Sequence, residues 1–315
     1  MTARTTVVVP VRDRLVLTQQ CVEAFAADYG DRDDVELFVV DDGSTDETTA
    51  YLEQAPGLRL VRHAESAGFA ASCNDGAAAG SGEYIVFLNN DTLGEHGWLD
   101  RLVSFADGND KAAIVGARLL YENGTIQHAG IVFGADLLPR HVYRMFPREH
   151  PAVSRSRRFQ AVTAACMLVR RNVFEKIGGF DTGFMNGFDD VDLCLRVWEA
   201  GGETHYCAES VLVHDEAATR GEDAELFRRN AERYRERWGR RVRRDDLETY
   251  AEDGLLGIVP GDLYPLEVHL DPRLGTLAEG DPYELLEERS RQVFDLLKEN
   301  AALRLRLEEK SELLG

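Results

Sequence analysis

The stretch LFVVDDGSTD, residues 37–46, joins an apolar run to a turn rich in acidic and small residues. Its first four residues are all apolar, which is typical of a strand covered on both faces in a parallel sheet. Asp41 and Asp42 follow directly, and Ser44 or Thr45 can cap the helix that comes next. The stretch therefore predicts a strand–turn–helix unit with two carboxylates at the carboxyl end of its strand.

The same rhythm extends to both sides of this stretch. Apolar strands, alternating with segments of helical spacing, are predicted at 5–9, 37–40, 58–61, 84–88 and 113–117. This alternation predicts right-handed βαβ units, and hence an α/β fold with a mostly parallel sheet. Ligands bind such sheets outside the carboxyl ends of the strands, where Asp41, Asp42 and Asp91 all fall. Residues 1–118 are therefore predicted to form a ligand-binding half.

The pattern changes beyond residue 118. Residues 119–240 are predicted to form an α+β half, in which 159–169 is one strand and 190–200 is a helix. Residues 241–282 contain four prolines and are predicted to be an irregular linker.

A helix is predicted at 283–315, where apolar residues recur every seven positions. The repeat consists of Leu286, Val293, Leu307 and Leu314, with the polar Asn300 at its centre. This spacing favours a coiled coil that would form an oligomer, and the alternative is one amphipathic helix packed on the chain's own body.

Composition excludes several classes of protein. With 44% hydrophobic residues among 315, the chain can build a core, so it is not disordered. A formal net charge of -20 repels nucleic acid and anionic lipid at long range. The five cysteines are dispersed and form no CxxC pair, which favours reduced thiols over disulfides or a zinc site. With no signal peptide and no apolar stretch that could cross a bilayer, we expect a cytoplasmic protein.

Three acidic clusters could carry chemistry, and each also has a purely structural explanation. Asp91, after Asn89 and Asn90, could bind a divalent cation through oxygen, or the three residues could form an ordinary turn. Asp41 and Asp42 could accept hydrogen bonds from a ligand or simply end a strand.

Two later positions are open in the same way. Asp189 and Asp190 could supply a general base or could favour the start of a helix. His214 could bind a metal through a ring nitrogen or could be structural.

In combination and in order, the motifs resemble those of the family 2 glycosyltransferases of the GT-A fold, closest to bacterial rhamnosyltransferase-like members. The similarity covers about residues 5–220. The matching motifs are VVVPVRDR (7–14), VVDDGSTD (39–46), GFAASCNDG (68–76), FLNNDT (87–92), GTIQHAG (124–130), AACMLVRR (164–171), GGFD (178–181) and FDDVDLCLR (188–196).

The resemblance implies a GT-A domain with a Rossmann-like nucleotide-sugar half at 1–118 and an acceptor-binding, catalytic half at 119–240. It implies a metal-dependent hexosyltransferase that uses Mn²⁺ or Mg²⁺ and a UDP- or dTDP-sugar. The enzyme would transfer the sugar to a hydroxyl group of a glycan or glycoconjugate and invert the anomeric configuration. The donor nucleotide would be bound by Pro10, Val11, Asp13, Asp41, Asp42, Gly43, Ser44, Gly68, Asn74, Asn89 and Asn90. Asp91 and His214 would hold the metal, and Asp190, beside Asp189, would be the base.

Two positions depart from the family pattern. Asn89 stands where the DxD motif has its first aspartate, and an amide binds metal only through its neutral carbonyl oxygen. Asp189–Asp190 replaces a Glu–Asp pair, so which carboxylate reaches the acceptor is open. Two alternatives remain, a non-catalytic module that binds nucleotide sugars and a glycoside hydrolase that uses two carboxylates. Dinucleotide, Walker and GxSxG motifs are absent from the sequence.

Overall fold

The computed structural model describes residues 3–215, 224–259 and 267–276. The chain divides into two compact units. One contains Met1–Phe133 and Leu137–Arg243, and the other contains Gly134–Asp136 and Arg244–Gly315. The first unit contains all the site residues predicted from the sequence.

Four parallel strands begin the first unit and confirm the predicted α/β fold. They are β1 (Thr5–Val11), β2 (Val35–Asp42), β3 (Arg59–His63) and β4 (Tyr84–Leu88), arranged in the order β3-β2-β1-β4. The helices between and after them are α1 (Leu15–Tyr29), α2 (Thr48–Leu52), α3 (Phe69–Ala79) and α4 (Trp98–Asp107). The apolar runs seen in the sequence are the buried interiors of β1, β2 and β4.

The same sheet continues into the second half of the unit. The further strands are β5 (Thr92–Gly94), β6 (Ala112–Leu120), β7 (Ile126–His128), β8 (Ile131–Phe133), β9 (Pro139–His141), β10 (Arg157–Phe159), β11 (Cys166–Arg170) and β12 (Glu203–His214). The helices are α5 (Arg171–Ile177), α6 (Asp189–Glu199) and α7 (Ala224–Trp238). The complete order is β10-β12-β6-β11-β4-β1-β2-β3, with β5 on β12, β7 on β6, and β8 and β9 in a separate hairpin.

The strand β11 is the main feature that the alternation did not predict. It lies between β4 and β6 and is antiparallel to both, so the two halves share one continuous mixed sheet. β6 itself runs through residue 118, where the halves were expected to meet.

Two local predictions were wrong. The single strand expected at 159–169 is divided between β10 and β11, because β10 pairs with β12 while β11 pairs with β4 and β6. Neither Ser44 nor Thr45 caps a helix, since α2 begins only after Glu47.

The second unit contains a helix, α8 (Asp246–Glu252), and an antiparallel hairpin of β13 (Leu256–Val259) and β14 (Glu267–Leu270). These elements stand where an irregular linker was expected at 241–282. The predicted helix at 283–315, with its coiled-coil spacing, lies outside the described residues. Of the helices that the structure describes, none is both long and apolar enough to cross a membrane.

All five cysteines are free and buried in the first unit. Burial raises the pKa of Cys21 and of Cys194 to about 12. The five cysteines are therefore residues of the core.

Gly76 allows α3 to approach the sheet closely. A Cβ atom at this position would lie 2.3 Å from Val8 Cγ1 and 2.9 Å from Val40 Cγ2. The valines are stiff at χ1 and belong to β1 and β2, so they cannot move aside without disturbing the sheet.

We expect Gly76→Val to destabilise the chain by about 1–3 kcal/mol through overpacking. Ala78→Val places the same side chain on the exposed face of α3 and should cost only a few tenths of a kcal/mol in helix propensity. Denaturant unfolding of both variants measures the difference, and equal losses would contradict the close packing of α3.

Candidate functional site

A cleft of about 790 Å³ opens at the carboxyl ends of β1, β2 and β4. The strand β1 lies between β2 and β4. The chain leaves the sheet in different directions on the two sides of β1, so a crevice remains at the carboxyl ends of the strands. Of the residues predicted to bind a ligand, those lining the cleft are Pro10, Val11, Asp42, Gly68, Asn89, Asn90, Asp91, Asp189 and Asp190. The structure therefore brings the ends of three strands and the start of α6 to one cavity.

Asp13 and Ser44 do not line the cavity. They stabilise the wall of the cleft, which is formed by the loops after β1 and β2. Asp13 Oδ1 accepts hydrogen bonds from the backbone N–H groups of Thr45 (2.7 Å) and Asp46 (3.3 Å), while its own N–H donates to Ser44 Oγ (2.8 Å). These bonds tie the loop after β1 to the loop after β2. Gly43, at φ +71°, is also in the wall, where a Cβ would lie 2.9 Å from the Ser66 nitrogen.

Asp41 is fully buried beneath this wall. Its Oδ1 accepts from the backbone N–H of Ser44 at 2.9 Å, and its Oδ2 accepts from the Thr49 hydroxyl at 2.6 Å. The side chain thus shapes the turn that follows β2 from below, and its contact with a base remains a prediction.

Asp42 reaches the cleft, but the protein itself fills its acceptor positions. Oδ1 accepts from His63 Nδ1 (2.7 Å) and the Ala67 N–H (2.7 Å), and Oδ2 accepts from the Ser66 hydroxyl (2.6 Å) and the Gly68 N–H (3.0 Å). Burial acts to raise the pKa of Asp42, but these hydrogen bonds prevail and lower it to about 2. Asp42 is therefore ionised and holds the 66–68 loop against the cleft.

Asn74 lies behind this loop, outside the residues that line the cleft. Its Nδ2 donates to the Phe180 carbonyl at 2.9 Å, and its Oδ1 accepts from the Phe180 N–H at 2.8 Å. This reciprocal pair of hydrogen bonds joins α3 to the GGFD turn. Asn74 was expected to contact the donor, and the structure places it at this junction instead.

Asp91 and His214 are brought together by strand pairing. The strand β5 is antiparallel to β12 with Thr92 opposite His214, and the Asp215 N–H donates to the Asp91 carbonyl at 3.0 Å. As a result, His214 Nε2 lies 3.1 Å from Asp91 Oδ1 and 3.3 Å from Asn89 Nδ2.

This cluster suits a divalent cation. Asp91 Oδ1 is buried and has no hydrogen-bond partner of good geometry, although the His214 nitrogen is close. A carboxylate oxygen and an imidazole nitrogen are ligands that Mn²⁺ accepts. No group of three or more His, Cys, Asp or Glu residues suited to a metal occurs in the described part of the chain. Phosphate oxygens and water would therefore complete the coordination.

The start of α6 presents two carboxylates to the cleft, of which Asp189 is buried and Asp190 is half-buried. Asp190 is oriented by the backbone, because its Oδ2 accepts from the Ala164 N–H at 3.2 Å and its Oδ1 from the Val191 N–H at 2.8 Å. Asp189 Oδ1 accepts from the Asp190 N–H at 3.1 Å, while its buried Oδ2 lacks a hydrogen-bond partner.

The ionisation of both carboxyl groups is shifted in the same direction. Burial, followed by the charge of Asp190, raises the pKa of Asp189 to about 7. Burial also raises the pKa of Asp190, although hydrogen bonds from Val191 and Ala164 oppose the rise. Raised carboxyl pKa values favour proton acceptance near neutral pH.

Several cleft residues were missed from the sequence. Arg12 and Arg14 bring positive charge to the cavity of an acidic chain, and the motif at 7–14 could have indicated them. Phe188 and Phe227 form an aromatic wall beside Asp190, with ring centroids 5.7 Å apart. They belong to different elements, so spacing in the sequence gives no sign of their contact.

Comparison with known proteins gives a consistent result. The family model described as Glycosyl transferase family 2 matches residues 6–178. The chain is 36% identical over 232 residues to the O-antigen biosynthesis protein RfbC of Myxococcus xanthus, covering 71% of this chain and 18% of that protein. It is 25% identical to an N-acetylglucosaminyl-diphospho-decaprenol L-rhamnosyltransferase of Mycobacterium tuberculosis, covering 60% of this chain and 69% of that protein.

A solved structure shows the same fold. The mannosyltransferase PcManGT of Pyrobaculum calidifontis, in complex with GDP-Man and Mn²⁺, aligns with a TM-score of 0.58 at 21% identity, covering 80% of this chain and 70% of that one. The first relatives by sequence are much longer proteins, of which the chain spans less than half.

The raised pKa of Asp189 predicts how stability changes with pH. The neutral carboxyl group is the form favoured by burial, so its contribution is full below its ordinary value of 3.8 and is lost as the pH rises through about 7. Asp189→Asn remains neutral throughout, so its melting temperature relative to wild type should be higher at pH 8 than at pH 5. Each kcal/mol corresponds to about 2–4 °C in a chain of this size.

Thermal unfolding of both proteins at the two pH values measures this change. Asp110→Asn makes the same substitution at an exposed turn and should show no such dependence. A constant difference between Asp189→Asn and wild type would contradict the raised pKa.

Proposed function

Because the chain belongs to glycosyl transferase family 2, we propose that it transfers a sugar from a UDP- or dTDP-sugar to a hydroxyl group of a glycan or glycoconjugate. The observation that carries this proposal is the convergence of Asp91, Asp189 and Asp190 on one cleft at the ends of β1, β2 and β4. The similarity to an O-antigen biosynthesis protein supports a role in cell-surface polysaccharide synthesis.

The donor nucleotide binds, in this proposal, along the ends of β1 and β4. Pro10 and Val11 supply an apolar surface for the base, and Gly68 leaves room at the opposite wall. Arg12 and Arg14 are the cationic residues of the cleft, and a guanidinium suits phosphate oxygens well. This local charge allows an anionic ligand to enter although the chain as a whole carries a formal charge of -20.

Asp190 is proposed as the general base. Its carboxylate accepts the proton of the acceptor hydroxyl, whose oxygen forms a bond to the anomeric carbon. The bond from that carbon to the diphosphate oxygen breaks at the same time, so one displacement inverts the anomeric configuration. The N–H groups of Ala164 and Val191 hold the base in a fixed orientation, which lowers the entropic part of the barrier.

A divalent cation, Mn²⁺ or Mg²⁺, would be held by Asp91 and His214, with Asn89 beside them. It would supply charge neutralisation for the departing diphosphate. The unpartnered Asp91 Oδ1 supports this assignment, as does the Mn²⁺ in the complex of the structurally similar mannosyltransferase.

The acceptor binds, in this proposal, against the aromatic wall of Phe188 and Phe227. Phe227 is 49% exposed and Phe188 packs behind it against Tyr234, with centroids 5.1 Å apart. Pyranose rings have an apolar face of C–H groups, and an exposed aromatic ring next to the base offers a matching surface. This favours a sugar as the group that bears the accepting hydroxyl.

We further propose a cytoplasmic location. Five buried thiols with no disulfide partner suit a reducing compartment.

Asp190→Asn should reduce sugar transfer by about two to four orders of magnitude, because the amide cannot accept the proton. The assay follows release of nucleoside diphosphate and formation of glycoside for a panel of nucleotide sugars and glycan acceptors, with melting temperature as a check on folding. Asp110→Asn should keep wild-type activity. Near-full activity of Asp190→Asn would refute this assignment, and Asp189→Asn in the same assay then tests the neighbouring carboxylate.

The same assay tests the whole proposal. Transfer should stop with a chelator and return with added Mn²⁺. Donor binding without turnover for any acceptor would indicate a non-catalytic binding module, and sugar release from a glycoside without nucleotide would indicate a hydrolase.

Phe227→Ala should raise the acceptor KM by about 2–10-fold, which corresponds to the 0.5–1.5 kcal/mol of one aromatic contact. The donor KM should not change, because the ring lies on the acceptor side. Trp198→Ala removes an aromatic ring that is 53% exposed and outside the cleft, so it serves as a matched control. An unchanged acceptor KM in Phe227→Ala would contradict the aromatic wall as an acceptor surface.

A further inference from the structure

The motif GTIQHAG contains a buried glutamine to which the proposed function gives no role. Gln127 lies in β7, is 4% exposed, and contacts His214 in β12. Its amide makes two hydrogen bonds to that one residue. Gln127 Nε2 donates to the His214 carbonyl at 3.1 Å, and Gln127 Oε1 lies 2.6 Å from His214 Nδ1.

The first of these bonds fixes the orientation of the amide. Only the NH₂ group of Gln127 can donate to a carbonyl, so the oxygen must face the imidazole. That oxygen can only accept, and Nδ1 must therefore carry a proton. A neutral imidazole protonated on Nδ1 has its lone pair on Nε2.

The surroundings of Nε2 agree with this tautomer. Asn89 Nδ2, an amide donor, lies 3.3 Å from Nε2, which therefore acts as an acceptor. Asp91 Oδ1 also lies near this nitrogen, at 3.1 Å. Two electron-rich atoms thus face each other in a buried place, an arrangement that a cation between them would stabilise.

We propose that Gln127 is a positioning residue for the cation site, holding His214 as the Nδ1–H tautomer so that its Nε2 lone pair faces Asp91 Oδ1. The inference rests on the proposed binding of a divalent cation at Asp91 and His214. Gln127 touches neither the cation nor the substrate and acts only through the histidine. Loss of such a supporting residue weakens metal binding by about 10–100-fold in other proteins.

The first test reads the tautomer in the full chain without metal. Long-range ¹H–¹⁵N correlation of ¹⁵N-histidine-labelled protein, with His214 assigned by substitution, should show a proton on Nδ1. A bare Nδ1 with the proton on Nε2 would overturn the proposal whatever the variants do.

The second test measures Mn²⁺ binding by electron paramagnetic resonance, with Mn²⁺ alone as the probe. Gln127→Leu removes both hydrogen bonds and should weaken binding by about 10–100-fold. Gln127→Glu keeps an oxygen that accepts from Nδ1–H and should restore most of the affinity and the wild-type tautomer. A purely structural glutamine would not show this rescue.

Gln160→Leu is a matched control. Gln160 also makes a two-way amide pair, with the Arg243 carbonyl (2.6 Å) and N–H (3.2 Å), but this pair is made with a backbone and not with His214. It should change neither the His214 tautomer nor the Mn²⁺ affinity.

The outcomes separate this inference from the proposed function. Wild-type affinity and tautomer in folded Gln127→Leu would overturn the role of Gln127 and leave the transferase proposal intact. If wild type fails to bind Mn²⁺ and its sugar transfer resists chelation, both the cation site and the role of Gln127 are overturned. Should Gln127→Leu not fold, the wild-type tautomer and Gln127→Glu still decide the question.

Discussion

The antiparallel pairing of β5 with β12 is the contact on which the proposed cation site depends. Asp91 follows β4 in the first half of the main unit, whereas His214 ends a strand more than a hundred residues later. Their approach needs the register that sets Thr92 opposite His214. A slip of one residue would turn the imidazole to the other face of the sheet. The approach of His214 to Asp91 is therefore set by the pairing of one three-residue strand.

The carboxylates of the site fall into two groups that differ in how well the protein satisfies them. Asp41 and Asp42 use their oxygens on backbone N–H groups and neighbouring side chains, and they fix the loops of the cleft wall. Asp91 and Asp189 each keep one buried oxygen without a hydrogen bond. Leaving such an atom unpaired costs about 1–3 kcal/mol, so these two positions are where a ligand or proton would gain most. Satisfaction of hydrogen bonds thus distinguishes Asp91 and Asp189 from Asp41 and Asp42, although the four residues look alike in the sequence.

Periodicity and motif order were sufficient for the parallel half of the fold. The strands β1, β2 and β4 contain the apolar runs that the sequence showed, and the importance of the acidic residues at their ends follows from the rule that ligands bind at that edge. The antiparallel β11 could not be predicted, because it pairs with β4 and β6, which lie far from it in the chain. The same limit applies to the site. Sequence order indicated Asp91 and His214, but not Gln127 or His63, whose roles arise from contacts between distant elements.

The buried thiols have a practical consequence. Every cysteine of the chain is in the core, and burial raises the pKa of each one. Because alkylating reagents attack the thiolate, the folded chain offers them almost no target. One cysteine introduced on the exposed face of α7 would thus be the sole reactive site for a fluorophore or spin label. Distances to the cleft could then be followed during substrate binding without first removing any native residue.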